Sequence, residues 1–112
     1  MATNVGKKTC HGSIGTTQDY IQLTDYVNQI AIVNTHATQS ISVMVATGNT
    51  AATALTAAQA LTVTTGVDES FTIPAGKRDV VFKSPRGKYV ALAIIGSGAT
   101  TTYACHGTTF FD

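Results

Sequence analysis

Apolar residues recur at every second position along most of this chain, and a period of two is the geometry of a β-strand with one face against a core. In residues 20–24, Ile21 and Leu23 share a face; in 28–34, Ile30 and Ile32 oppose Gln29, Ala31 and Val33. Ile41, Val43 and Val45 repeat the pattern, as do Phe71 and Ile73. In 77–83, Val80 and Phe82 take the core side, with Lys77, Asp79 and Lys83 opposite. Shorter or later runs at 61–64, 88–95 and 100–105 complete the series. Threonine fills 20 of the 112 positions, and its β-branched side chain suits a pleated, half-wet surface.

Turn chemistry separates the runs. Residues 35–40 read as a hairpin connection. Pro74-Ala75-Gly76 and Ser84-Pro85-Arg86-Gly87 read as tight turns, since proline pre-sets φ and glycine accepts a positive one. Gly96-Ser97-Gly98 separates the last two strands. Residues 48–60 are rich in Ala and Thr but lack a strong apolar stripe, which predicts a long loop with at most a helical turn. The expected fold is all-β: one β-sandwich or jelly-roll-like barrel of seven or eight short antiparallel strands. Residues 1–18, polar and rich in Gly and Thr, are expected to form an N-terminal arm or an irregular first strand. The sandwich then spans 19–112, one domain with no room for a second.

Composition narrows the function. A hydrophobic content of 44% excludes a disordered chain. A net charge of +1 supplies no field to draw the chain to nucleic acid or membrane. The longest apolar run, 89–95, is too short to span a bilayer, and no apolar stretch follows Lys7 and Lys8 as a secretory signal requires. Two cysteines do not make a secreted disulfide scaffold. The expectation is a soluble protein made in a reducing cytoplasm.

Four features stand out. The tripeptide Cys10-His11-Gly12 returns as Cys105-His106-Gly107, together the ligand set of a tetrahedral zinc site. Neighbouring strand residues point to opposite faces, however, so Cys and His of one tripeptide reach one metal only if the backbone turns there. Packed thiols are the favoured reading, with a disulfide and a metal site as the others; no cofactor is assigned. Lys77, Arg78, Lys83, Arg86 and Lys88 cluster on what reads as one hairpin, a patch for an acidic protein surface or a solvated edge. Nucleic acid is disfavoured, because interleaved stacking aromatics are missing. Third, 89–95 and 28–45 carry apolar residues on both faces, which points to a neighbouring chain or to cover by 48–60. Finally, adjacent Phe110 and Phe111 on a strand cannot both enter one core. Lys77, Arg78, Arg86, Lys88, Phe110 and Phe111 are therefore the candidate partner-binding residues.

Catalysis finds no support. His11, His36 and His106 have no Ser, Cys or carboxylate at a spacing typical of a triad or nucleophile elbow. Asp68-Glu69 sits beside a turn and does not form an acid/base pair. The expectation is a non-enzyme.

Residues 70–76 (SFTIPAG), 89–100 (YVALAIIGSGAT), 30–34 (IAIVN) and 42–45 (SVMV) together resemble small virion structural proteins of tailed bacteriophages. The resemblance runs over roughly 19–105. It implies a capsid decoration, or cement, protein seated on the major capsid protein, located in the virion and assembled in the host cytoplasm. A homo-oligomer is expected. A neck or tail adaptor is the runner-up, and a carbohydrate-binding β-sandwich module the alternative from another class. The last needs exposed aromatics, and Tyr20, Tyr26, Tyr89 and Tyr103 are scattered through a chain without Trp.

Overall fold

The computed structural model describes residues 3–63 and 71–109. Its elements are β1 (Thr3–Gly6), β2 (Thr9–Ile14), β3 (Asp19–Leu23), β4 (Val27–Asn34), β5 (Ile41–Gly48), α1 (Ala51–Gln59), β6 (Phe71–Ile73), β7 (Arg78–Gly96) and β8 (Thr101–Thr108). They build a nearly closed, barrel-like β-sandwich. One sheet runs β1-β3-β7-β5-β6 and the other β7-β4-β8-β2. All pairs are antiparallel except β1 with β3, which is parallel. Within 1–18, read as an arm or an irregular first strand, residues 3–14 give a strand to each sheet; alternating small and branched residues suffice for an outer strand.

β7 belongs to both sheets. Its residues 78–88 pair with β4, and 89–96 lie between β3 and β5. The expected turn at 84–87 does not reverse the chain. Between the pairs Val27↔Lys88 and Gln29↔Lys83 the register shifts, so 84–87 form a bulge that bends one strand out of one sheet and into the next. The buried Asn28 side chain clasps it, donating from Nδ2 to the Ser84 carbonyl at 3.2 Å. A second bulge places Val81 between Ala31↔Val80 and Ile30↔Phe82. It shifts the parity, so Val81, not Val80, enters the core, with Phe82 partly buried beside it.

Between the sheets lie Ile14, Ile21, Leu23, Ile30, Ile32, Ile41, Val43, Ile73, Val81, Val90, Leu92, Ile94 and Cys105. Phe71, expected inward, is 41% exposed, because it begins a three-residue outer strand at the rim of the core. β6 connects to β7 through Pro74-Ala75-Gly76, where Lys77 N donates to Pro74 O at 3.1 Å and Gly76 adopts φ +70°.

Residues 51–59 are a helix and not the expected loop. Thr50 caps it, its Oγ1 accepting from Thr53 N at 3.1 Å. The apolar stripe is made of alanine, which is why it carries little hydrophobic signal: Ala54 and Ala58 are fully buried. These methyls let α1 lie close on Ala46, Ala91 and Ala93 on the outer face of the first sheet. Residues 61–63 follow without joining a ladder, held by Gln18, which donates to Leu61 O (2.8 Å) and accepts from Val63 N (2.8 Å). Thr64, Asp68, Glu69 and Ser70 lie outside the described residues. No helix among those described is long and apolar enough to cross a membrane.

Candidate docking surface

The two Cys-His-Gly tripeptides meet. β2 and β8 run antiparallel with Cys10 opposite Cys105, Thr9 opposite His106 and His11 opposite Ala104. Both thiols are free and buried, at 8% and 0% exposure, while His11 and His106 are exposed. Cys and His of each tripeptide thus face opposite sides, as extended backbone requires. Among the described residues no three or more His, Cys, Asp or Glu side chains gather as a metal site would need. Burial pushes the Cys105 thiol up to about 12, with Cys10 adding to the effect, and burial raises Cys10 as well. Burial also raises Tyr103, against the pull of a hydrogen bond from Asn4 Nδ2 to its hydroxyl at 2.9 Å.

The outer face of the second sheet can be read row by row from the register. Arg78, Val33, Ala104 and His11 form one row. Val80, Ala31, His106 and Thr9 form the next, and Lys83, Gln29 and Thr108 a third. No row contains an acidic side chain. Small apolar groups occupy the middle, with Arg78 and Lys83 on one flank and His11 and His106 on the other. α1 covers the corresponding face of the first sheet; on this one Ala31 is itself buried, at 1% exposure, and Val33, Val80 and Ala104 are half-buried.

The four basic candidates and their cluster neighbour Lys83 are exposed. They do not share a hairpin: Lys77 ends the 74–77 turn, Arg86 sits in the bulge, and Arg78, Lys83 and Lys88 lie along the outer half of β7. Of these, Arg78 and Lys83 belong to the rows of that outer face. Phe110 and Phe111 lie outside the described residues. The apolar positions on both sides of the strands divide into two cases. Met44, Ala46, Ala91 and Ala93 are covered by α1, while on the outer face of the second sheet Ala31 is buried and Val33 half-buried. Residue reading missed His11, His106 and Ala104 as members of that face. Their shared outward parity within β2 and β8 is a sequence signal, but the pairing that unites them is not.

The four tyrosines line two grooves, two at each. Tyr26 and Tyr89 meet edge to face, with centroids 6.4 Å apart at 76°, beside an open groove of about 290 Å³ that Lys8, Asp25 and Thr109 also line. Tyr20 and Tyr103 border a groove of about 220 Å³ but are only 3% and 5% exposed. Neither of those two is a stacking platform for a sugar. His36 organises a turn, its Nδ1 accepting from Thr38 N and Gln39 N, both at 3.0 Å. Compared with known protein families, curated proteins and solved structures, the chain finds no match.

Proposed function

We propose that this chain is a virion structural protein of the capsid-decoration kind, which attaches by surface burial without chemistry of its own. The observation that carries this reading is the inequality of the two outer faces. α1 lies over one; the other presents half-buried Val33, Val80 and Ala104 among exposed Arg78, Lys83, His11 and His106, with no acid in its rows. A flat patch of this kind suits a flat, acidic partner such as a capsid surface. Apolar contact supplies adhesion, and the cations supply orientation and encounter rate. Binding to the assembled particle and not to its free subunits stabilises the particle by mass action.

The test is co-sedimentation of the full chain with particles. Substituting Arg78 and Lys83 by Ser, and separately Ala104→Glu at the middle of the face, should each reduce attachment at least tenfold while circular dichroism and melting stay native. Normal attachment by both variants overturns the reading. Attachment to tails and not to heads replaces it with the adaptor role.

A further inference from the structure

We infer that Cys10 and Cys105 are a disulfide-forming pair, a reversible staple between β2 and β8. The two residues are register mates. Gly107 N donates to Lys8 O at 2.7 Å, and alternation along an antiparallel ladder then makes 10↔105 a hydrogen-bonded pair as well. The Cα atoms of such a pair lie ~5.5 Å apart, inside the ~4.4–6.8 Å range of disulfides. Its Cβ atoms, at ~5 Å, must approach by ~1 Å to reach bonding geometry. The resulting bond is strained, and strained disulfides are the readily reduced ones.

One of the strands can yield. β2 ends its sheet, with β8 as its one ladder partner among the described residues, so it is the strand of the two that can shift or lift, giving up the hydrogen bond from Asn4 Nδ2 to His11 O (3.1 Å). Cys10 is also the more accessible of the two, at 8% exposure against 0%. With both thiols buried and held protonated, reaction proceeds through an opened β2. The Cys10 thiolate attacks one sulfur of a low-molecular-weight disulfide, whose S–S bond breaks and whose other half leaves as a thiol. The Cys105 thiolate then attacks Cys10 Sγ in the mixed disulfide and expels the second thiol. The protein loses two hydrogens, and the oxidant becomes two thiols. The closed loop, from 10 to 105, takes in nearly the whole chain, the case in which a cross-link restricts the unfolded state most. The chain would therefore be unstapled where it is made in a reducing environment and stapled in an oxidising one.

The test uses the native full chain with oxidised glutathione at about pH 8, where a usable thiolate fraction forms, followed by acid quench, alkylation and intact mass. The expected product is one intramolecular disulfide that blocks both alkylations. It should raise Tm by about 5–10 °C, reversed by dithiothreitol, and Cys10→Ser should gain no such increase. Two alkylatable thiols after treatment of the native chain, a stable glutathione adduct, or a disulfide that leaves Tm unchanged or lowers it each overturn the inference.

Discussion

The ring of Tyr26 lies flat enough against Gly87 that a Cβ at position 87 would come within 2.6 Å of Cε2 and 3.1 Å of Cγ. Tyr26 is thereby held between the bulge of β7 and the ring of Tyr89. Only a glycine leaves room for this where β7 changes sheets. Gly87→Ala should cost about 2–3 kcal/mol in urea unfolding, as overpacking does. The same change in a Tyr26→Ala background should cost under about 1 kcal/mol, since the clash is then absent. Equal costs in both backgrounds would rule the contact out as the cause.

Asn34 is fully buried and spends its whole amide locally. Nδ2 donates to Gln39 O (2.7 Å) and Ile73 O (3.0 Å), and Oδ1 accepts from His36 N (3.0 Å). It joins the end of β4, the 35–40 connection and β6. Asn34→Asp keeps the size but cannot donate when ionised, so two carbonyls lose their donor and a charge is buried. It should destabilise by about 3 kcal/mol or more near neutral pH, and more than Asn34→Ala. Chemical denaturation of the two variants side by side is the check.

On α1, Ala54 is fully buried and Ala52 exposed. Ala54→Leu should lift the helix and cost about 1–3 kcal/mol, while Ala52→Leu should stay within about 0.5 kcal/mol of the native chain. Thermal melts of both variants decide it.

Thr100 sits at φ 59°, a left-handed conformation that penalises a β-branched side chain. Thr100→Asn should therefore stabilise the fold by about 0.5–1 kcal/mol, seen as a higher urea midpoint with an unchanged slope.

Alkaline pH should unfold the chain through Cys105. Its thiol is raised from 9.0 to about 12 on folding. The folded state thus holds a proton that the unfolded state releases first. This stability is intact below pH 9 and lost as pH rises toward 12, by at most about 4 kcal/mol. Tyr103, also raised by burial, adds to the loss above its ordinary value of 10. Urea midpoints measured between these limits should fall more steeply for the native chain than for Cys105→Val; parallel curves would assign the slope elsewhere.

Strands whose ladders keep step were legible from residues alone. Ile30 and Ile32, or Val90, Leu92 and Ile94, are core positions by alternation and core positions in the fold. Alternation fails where a bulge inserts a residue, and so it points to Val80 where the core holds Val81. Proline and glycine at 85 and 87 announce a break in pairing, but the same chemistry serves a reversal and a corner, and only the partner strands decide between them. α1 escaped because its buried stripe is alanine. At the docking face, the inward thiols and outward imidazoles follow from local geometry. The rows joining Arg78 to His11 do not, since they need a four-strand register that no short pattern encodes.

Because β7 threads both sheets, the sandwich has no seam along that side. Pulling either sheet open must break pairing in a strand whose other half anchors the opposite sheet. The middle strands should melt together and exchange their amide hydrogens as one block. Among the described strands, the outer ones β1, β2 and β6 are the places where the barrel can unlatch without being lost.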